Sequence, residues 1–343
     1  MERGTQRFDE ARLREHVDTR LAEAGTSEAS RQAAIRAMMH ASLVGIDSHG
    51  VRLTGHYCRM LAGGRLNKSP QISVDHRAAG SAMVDGDDGM GHLAAYRAVE
   101  VGMELAQKAG VGAVGVRRSS HLGAAGAYAV AGAEAGFVTF VTTNTDSMVA
   151  LYDGAQKFHG TNPLAFAAPV PGSRPWLLDM ATSSIPLNRV LLHRSLDKPL
   201  PDGVAATPDG EPTSDPHAAD MLLPLGGADF GFKGAALAGV ATLFSALLTG
   251  TTLDPDFIPM YGTSDISTPR NMGHFVLVID PEKYVGREAF ATAIAAYLAS
   301  LRSSPSREGG RVMAPGDREW EEMGRRRREG IPVDPETAAF LRL

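Results

Sequence analysis

The first 65 residues carry apolar side chains that recur about once per helical turn. Three such segments cover residues 8–24, 26–47 and 51–64. The first stops at Gly25 and the third at the pair Gly63 and Gly64, as expected where a helix ends in a left-handed residue. This pattern predicts a mainly helical N-terminal part.

From about residue 70 onward, short runs rich in Val, Ile, Thr and Phe alternate with helical patterns. The strand-like runs cover residues 72–74, 82–84, 111–117, 136–145, 164–170, 176–183 and 274–281. Helical patterns cover residues 92–110 and 287–302. Residues 193–220 are polar and rich in Pro and Asp, which indicates a surface excursion. Interspersed helices and strands predict an α/β or α+β fold.

One segment, residues 234–253, has no charged residue and is long enough to span a bilayer. Its Gly, Ser and Thr residues dilute the apolar character, and Lys233 and Asp254 flank it. We therefore expect a buried core helix here rather than a membrane span.

Charge and cysteine content exclude several classes of protein. The chain has 34 Lys and Arg against 39 Asp and Glu, a net charge of −5, so no basic excess supports binding to nucleic acid. Cys58 is the single cysteine, which excludes an internal disulfide framework and any metal site built from several cysteines. Residues 1–20 mix charged side chains throughout and carry no secretory signal. These features predict a cytoplasmic protein that binds neither nucleic acid nor membrane.

Residues 110–115 read GVGAVG and match the glycine spacing of a dinucleotide-binding loop. Such a loop needs a strand before the glycines and a helix after them, so that the pyrophosphate meets the helix N-terminus. Here a helical pattern precedes the glycines and a strand pattern follows. We therefore do not expect a Rossmann-type cofactor site at this position.

The sequence DSHGVR at residues 47–52 carries the first candidate chemistry. If the chain is helical from Ser48 onward, His49 and Arg52 lie three residues apart on one face. This pair suits a 2-oxo acid, because Arg can hold the carboxylate while His exchanges a proton with the carbonyl oxygen. The same residues also fit an exposed helix start capped by Asp47 or Ser48, and their spacing alone does not decide between the two.

Three further loops place polar or small residues beside predicted strands. SSHLG ends at Gly123 and leads into the small-residue stretch 123–136, which permits either close approach of a ligand or tight helix packing. GTNP at residues 160–163 and LDMATS at residues 178–183 place hydroxyl and amide groups where the chain turns. Each of these alone is also an ordinary turn.

Nine segments occur in one order: SHGVR, SSHLGAAGAYA, TTNT, GTNPLAFAAP, LDMATS, GEPTSDP, LPLGG with GFKG, GHFVLVIDP and APGD. In this order they resemble the malate/L-lactate dehydrogenase family, a non-Rossmann group of NAD(P)-dependent 2-hydroxyacid oxidoreductases. The resemblance covers about residues 8–340. It implies an α/β fold in which residues 1–75 with 285–343 form a mainly helical domain and residues 76–284 form a central mixed-sheet domain that binds cofactor and substrate.

The resemblance also implies roles for individual residues. His49 would exchange the substrate proton with the help of Ser48, whereas Arg52 would hold the carboxylate. Thr161 would contact the substrate, and His121 would lie near the nicotinamide, where it is the base in some relatives. The cofactor would be lined by His121, Gly123, Thr145, Asp179, Met180, Ala181, Lys233, Gly316, Asp317 and Arg318. No metal is implied. We favour His49 as proton donor because it would share a helical face with Arg52.

The implied reaction is direct hydride transfer between NAD or NADP and a small 2-oxo or 2-hydroxy acid of the malate or lactate type. A homodimer is also expected, with residues 123–136 small enough for two copies to pack closely. The main alternative is a cyclic imino-acid reductase. In that branch an acidic residue follows the LDMATS motif, whereas Arg189 here cannot relay a proton to His49.

Two alternatives come from other classes. A hydrolase would use Ser48 and His49 as nucleophile and base, but neighbouring residues on a helix point about 100° apart. A non-catalytic nucleotide-binding protein is compatible with the departures from the family pattern at residues 186–189. Turnover of NAD(P)H with 2-oxo acids would separate these readings.

Overall fold

A computed structural model describes residues 5–343 of the chain. Its helices are α1 (Glu10–Glu23), α2 (Glu28–Leu43), α3 (Thr54–Gly63), α4 (Gly91–Ala109), α5 (Gly126–Glu134), α6 (Leu187–Ser195), α7 (Gly227–Thr242), α8 (Arg287–Arg302), α9 (Asp317–Glu329) and α10 (Pro335–Leu341). Its strands are β1 (Gln6–Phe8), β2 (Ser73–Ala78), β3 (Ser81–Asp85), β4 (Val111–Ser119), β5 (Val138–Thr143), β6 (Val149–Ala150), β7 (Lys157–His159), β8 (Leu164–Ala168), β9 (Trp176–Met180), β10 (Ala205–Ala206), β11 (Pro212–Thr213), β12 (Met221–Leu222), β13 (Met272–Ile279) and β14 (Ile331–Val333).

A seven-stranded sheet in the order β2-β3-β4-β13-β5-β8-β9 forms the centre of the molecule. β4 and β5 both pair antiparallel with β13, so they point the same way and end at one edge, at Ser119 and Thr143. β8 begins and β9 ends at this same edge, where Leu164 pairs with Met180. The loops SSHLG, TTNT, GTNP and LDMATS therefore meet there. We call this the motif edge.

Helices cover both faces of the sheet. Alternate residues of β13 point to opposite faces, so that Val276 and Val278 pack under α4 and α5 while Leu277 packs under the end of α7. α4 ends at Gly110 in a left-handed conformation, and β4 begins at the next residue. The helix-then-strand order expected for GVGAVG is confirmed.

The two ends of the chain share a second core. Leu13 and Tyr57 from the N-terminal helices pack with Met323 of α9 and Leu341 of α10, and β1 pairs antiparallel with β14. α8 packs elsewhere, against Trp176 of β9. The mixed α/β fold is confirmed, whereas the domain boundaries given above stay a prediction.

The segment 193–220 is not the simple surface excursion that its composition indicates. It contributes β10 and β11 to a five-stranded sheet in the order β11-β10-β12-β6-β7, in which β12 follows directly after the segment, and Ala205 and Ala206 are fully buried. The stretch 123–136 also differs from expectation. Most of it forms α5, whose Tyr128 and Ala129 are buried within the sheet core of the same chain, so little of this stretch is left to contact a second copy.

The uncharged segment 234–253 is not buried on all sides. Within residues 5–343, the run Gly227–Leu247 is the one helix long and apolar enough to cross a membrane, and only about a third of it is buried. The run joins α7 to a π-helical turn, Leu243–Leu247. Its exposed face carries Phe232, Ala236, Val240, Leu243 and Leu247, which we call the apolar strip. The expectation of a core helix is therefore wrong for this face.

Candidate active site

Residues 47–53 form two successive 3₁₀ turns and not one helix. Gly50 separates them in an extended conformation, with φ −89° and ψ −150°. The expectation that His49 and Arg52 share a helical face is therefore wrong. Close packing explains the break, because a Cβ atom on Gly50 would lie 2.1 Å from Ser42 Oγ. The Ser42 hydroxyl oxygen accepts a hydrogen bond from the N–H of Val51, at 3.0 Å.

Ser48 and His49 form a hydrogen bond within the first of these turns. Ser48 Oγ lies 2.8 Å from His49 Nδ1, so the expectation that the two side chains point apart is also wrong. Burial lowers the pKa of His49 to about 4, which leaves the ring neutral at pH 7. With Nδ1 held by the hydroxyl, Nε2 is the atom that can exchange a proton.

Arg326 of α9 anchors this turn from the other end of the chain. Its guanidinium is 6% exposed, donates to the Asp47 carboxylate at 2.9 Å, and donates to the Ser42 carbonyl oxygen at 2.7 Å. Arg326 stands in a run of four arginines that is typical of a solvated helix face, so the sequence carries no signal of this contact. Its role follows only from the fold.

His121 follows β4 at the motif edge and faces His49. The two ring centroids lie 5.6 Å apart with planes inclined by 26°. The N–H of Gly123 lies 3.3 Å from His121 Nδ1, and the Tyr57 hydroxyl lies 2.8 Å from the same atom. Because an amide N–H can only donate, Nδ1 is an acceptor and the neutral ring carries its proton on Nε2. Burial, followed by the nearby His49, lowers the pKa of His121 well below its ordinary value.

Tyr57 is a residue of this site that the sequence analysis does not identify. It lies on α3, is fully buried, and contacts the ring of His92 at a centroid distance of 4.9 Å. Burial raises the pKa of its hydroxyl far above the ordinary value, so the group stays protonated. An aromatic residue at a buried helix position normally indicates core packing, and the sequence carries no further signal.

Arg52 has an exposed side chain without a hydrogen-bond or ion-pair partner among residues 5–343. Burial raises the pKa of the Tyr261 hydroxyl, and the positive charge of Arg52 acts in the opposite direction, which places the two side chains near one another. The charge of Arg52 also helps to lower the pKa of Asp334, so a carboxylate lies nearby, but no carboxylate within the described residues is in hydrogen-bond contact with this guanidinium. Its N–H groups can therefore still bind the carboxylate of a ligand.

Thr145 and Thr161 meet at the motif edge. The N–H of Thr161 donates to Thr145 Oγ1 at 3.2 Å, and the N–H of Thr145 donates to Asn162 Oδ1 at 3.1 Å. Thr182 donates its N–H and its hydroxyl to the Thr161 carbonyl oxygen, at 2.9 and 3.1 Å. The loops TTNT, GTNP and LDMATS are thus joined by hydrogen bonds of their own backbone and side chains.

Asp179, on β9, faces the beginning of α5. Its Oδ2 accepts the N–H of Gly126 at 2.9 Å, and a Cβ atom on Gly126 would lie 2.6 Å from that oxygen. Burial raises the pKa of Asp179 to about 6. Gly123 adopts a positive φ of 77° at the entrance to the same loop. Met180 and Ala181 follow Asp179 and are half-buried.

Lys233 is exposed on α7, and its ammonium lies 5.3 Å from the centre of the Phe230 ring. Two backbone hydrogen bonds tie this part of α7 to the motif edge. The N–H of Gly234 donates to the Leu225 carbonyl oxygen, and the N–H of Leu225 donates to Thr182. Lys233 therefore belongs to the same neighbourhood.

The tail residues Gly316, Asp317 and Arg318 lie away from the two histidines. A Cβ atom on Gly316 would lie 3.1 Å from the backbone N of Leu177, so this segment borders the beginning of β9, at the end of the strand opposite the motif edge. Asp317 pairs with Arg302 at 2.6 Å, and the Arg318 side chain is 85% exposed. A groove of about 270 Å³ opens beside them, lined by the two tryptophans of the chain.

No group of three or more His, Cys, Asp or Glu side chains that could hold a metal ion occurs within the described part of the chain. The polar groups of the site are instead imidazole, hydroxyl, amide and guanidinium. This set can exchange a proton and bind a carboxylate.

Comparison with known proteins agrees with this geometry. The sequence model of the malate/L-lactate dehydrogenase family matches residues 8–342. Malate dehydrogenase of Pyrococcus horikoshii is 33% identical over 303 residues, which cover 86% of this chain and 82% of that protein. Ureidoglycolate dehydrogenase (NAD(+)) of Escherichia coli K12 is 30% identical over 96% of this chain and 93% of its own.

A solved structure extends the comparison to three dimensions. The Δ1-piperideine-2-carboxylate reductase of Pseudomonas syringae superposes with a TM-score of 0.86 at 28% identity, over 98% of this chain and 99% of that one. The expected fold and the expected class of reaction, NAD(P)-dependent oxidoreduction of a hydroxy acid, are confirmed. The chain belongs to the malate/L-lactate dehydrogenase family.

Proposed function

We propose that the protein interconverts a small 2-oxo acid and the corresponding 2-hydroxy acid at the facing pair of His49 and His121. The bound NAD(P) cofactor supplies or accepts the hydride. His49 exchanges the proton of the substrate oxygen through Nε2, with Ser48 fixing its ring. His121 donates a hydrogen bond from Nε2–H to the same oxygen. The single observation that carries this proposal is the 5.6 Å stacking of two neutral imidazoles whose Nδ1 atoms are both already engaged.

Arg52 holds the substrate carboxylate in this proposal, and Thr161 lines the opposite side of the substrate. Arg52 suits the part because its exposed guanidinium makes no hydrogen bond or ion pair with the other described residues. A planar guanidinium can grip both carboxylate oxygens and so orient the carbonyl carbon between cofactor and imidazole.

The residues proposed to hold the cofactor fit an elongated dinucleotide. His121, Gly123 and Asp179 lie at the motif edge, and glycine at position 126 lets the Asp179 carboxylate pack directly against the start of α5. Thr145, Met180, Ala181 and Lys233 extend this end of the cleft. Gly316, Asp317 and Arg318 would contact the far end, beside the groove along β9. The donor set does not select between NAD and NADP.

A cyclic imino-acid reductase is the alternative, since one similar structure carries that name. Arg189 is an argument against a cyclic imino-acid reductase. The residue is exposed in the first turn of α6 and carries a permanent positive charge, so it cannot accept or relay a proton. The hydroxy-acid reading therefore stays preferred.

We further propose that the protein is a cytoplasmic homodimer. The lone Cys58 is typical of a reducing compartment. Soluble monomers rarely expose a contiguous apolar patch, and the apolar strip of α7 offers a self-complementary surface to a second copy around a two-fold axis.

The proposed function is tested by absorbance at 340 nm with NADH or NADPH in the presence of pyruvate, oxaloacetate or Δ1-piperideine-2-carboxylate. We expect oxidation of at least one reduced cofactor with a 2-oxo acid. Turnover of the cyclic imine alone would replace this proposal by the alternative. An enzyme inert toward every acid with both cofactors would contradict both.

A further inference from the structure

Asp254 is a buried carboxylate that the proposed reaction does not use. It is 1% exposed, in a 3₁₀ turn that follows the π-helical end of α7. Five groups from three segments of the chain donate to it. They are Asn162 Nδ2 at 2.7 Å, Asn144 Nδ2 at 2.8 Å, the N–H of Gly160 at 3.1 Å, His159 Nδ1 at 3.2 Å and Thr242 Oγ1 at 3.2 Å. This one side chain thus ties the loops TTNT and GTNP to α7.

No Lys or Arg is among these partners, so the hydrogen bonds must hold the negative charge. Burial acts to raise the pKa of Asp254, but the hydrogen bonds from His159, Asn144 and Asn162 outweigh it and leave the pKa below its ordinary value. The group is therefore ionised at neutral pH and acts only as an acceptor.

An acceptor-only carboxylate dictates how the neighbouring amides face. Because Asn162 must present Nδ2 to Asp254, its Oδ1 faces the backbone N–H of Thr145. Asn162 keeps this position with a positive φ of 33°. Asn144 likewise presents Nδ2, and its Oδ1 is left buried without a partner in the described part of the chain. A buried acceptor without a donor is unfavourable. Asn144 Nδ2 also donates to the Thr252 carbonyl oxygen at 2.9 Å, so Asp254 and this carbonyl together impose the orientation.

We propose that Asp254 is a positioning residue for the reaction. Through Asn162 it fixes Thr145, and through the GTNP backbone it fixes Thr161, where the substrate is to bind. The inference rests on the proposed function, in which Thr161 contacts the substrate. Asp254 itself touches neither substrate nor cofactor.

The test is Asp254→Asn, which replaces one acceptor oxygen by an NH₂ group facing the donors of Gly160 and Asn162. Loss of these buried hydrogen bonds should raise KM for the 2-oxo acid by about tenfold or more. The Kd of NADH, measured by fluorescence titration, should rise by about threefold at most, because Thr145 is tied to Asp254 only through Asn162, whereas Gly123 and Asp179 are not bonded to it. Asp256→Asn is the matched control, since Asp256 is exposed in the same turn.

A second variant reverses the polarity of one contact. Combining Asp254→Asn with Asn162→Asp again pairs a donor with an acceptor and leaves an oxygen for the Thr145 N–H, so KM should recover in part. If Asp254 had only a structural role, Asp254→Asn would lower the melting temperature. KM for the 2-oxo acid would then not rise more than the Kd of NADH, and the double variant would not restore KM. If Asp254→Asn does not fold, Thr242→Val serves as the test, because it removes one hydroxyl donor to Asp254 and keeps a side chain of similar size. It should raise KM by about threefold at an unchanged melting temperature.

The outcomes separate the two proposals. Wild-type KM in Asp254→Asn, or an equal rise of KM in Asp256→Asn, would overturn the positioning role while leaving the proposed function intact. If the wild-type enzyme turns over no 2-oxo acid, the proposed function fails first. The positioning role is then read from calorimetric binding of oxamate to the NADH-loaded protein, which Asp254→Asn should weaken at least as much. A wild-type protein that binds no oxamate overturns both.

Discussion

The two facing imidazoles differ in what their Nδ1 atoms contact, and this difference assigns their roles. We expect His49→Ala to lower kcat by about 10² to 10⁴, the usual effect of removing a general acid–base group. NADH binding should persist, because His49 lies on a separate turn from the β4 loop. His121→Ala should instead weaken both turnover and NADH affinity. Steady-state kinetics with fluorescence titration distinguish the two, with the exposed His76→Ala as control. Full activity in His49→Ala would transfer the proton-exchange role to His121.

The lowered pKa of His49 predicts the pH profile of the oxidation direction. A base must be neutral to accept the proton of a hydroxy acid, and burial that lowers the pKa to about 4 makes the neutral form dominant well below pH 6. We therefore expect kcat/KM for the hydroxy acid to be constant between pH 6 and 8. Initial rates across this range check it. An ionisation at pH 6.5 or above would mean that the ring is not held in this buried state.

The residues that sequence reasoning misses act over long separations in the chain. Tyr57 contacts His121, 64 residues further along the chain. Asp254 contacts His159, 95 residues earlier, and Arg326 contacts Asp47, 279 residues earlier. In the sequence each resembles something ordinary, namely a core aromatic, a turn aspartate and a member of a basic run. The motif loops are predictable because their residues are adjacent, whereas these partners become visible only when the sheet brings the loops together.

Gly112 of GVGAVG acts at the scale of whole elements, by letting α4 lie directly on β4. A Cβ atom on Gly112 would lie 2.1 Å from the Gly102 carbonyl oxygen. We expect Gly112→Ala to lower the free energy of unfolding by about 2 kcal/mol or more, since both clashing groups are backbone or fixed. The Kd of NADH should not change. Chemical denaturation and fluorescence titration measure the two.

Gly324→Ala is the matched control for that substitution, because its nearest contact is the flexible end of Arg328 at 3.5 Å. It should be neutral or slightly stabilising. A Gly112→Ala protein of normal stability that no longer binds NADH would restore the dinucleotide-loop reading of this motif.

Long elements with a clear period are predictable, and short ones are not. The helical pattern at residues 287–302 matches α8, and the strand pattern at 111–117 matches β4 within two residues. The five-stranded sheet escapes prediction because its strands have only two or three residues, too few to display an alternation. The same limit applies to residues 47–53, where a single close contact at Gly50 divides a helical pattern into two turns.

At the scale of the whole molecule, the apolar strip on α7 predicts self-association. We expect light scattering to give twice the chain mass of 36.2 kDa for the wild-type protein. Leu247→Glu places a charge at a position that is 62% exposed in the single chain, so it should give a monomer without loss of folding. Tyr297→Glu, at a comparably exposed position on α8, is the control and should remain a dimer. A wild-type monomer at micromolar concentration would contradict the prediction.

The pairing of β1 with β14 has a consequence for how the protein is made. Arg7 and Gly330, which hydrogen-bond beside this ribbon, are 323 residues apart, so the first helices leave the ribosome long before α9 and α10 exist. The central sheet closes within residues 73–279 and can form in that interval. The N-terminal helices must meanwhile keep Leu13 and its apolar neighbours away from other chains. A nascent chain stalled before residue 317 is therefore the form of this protein that most needs a chaperone.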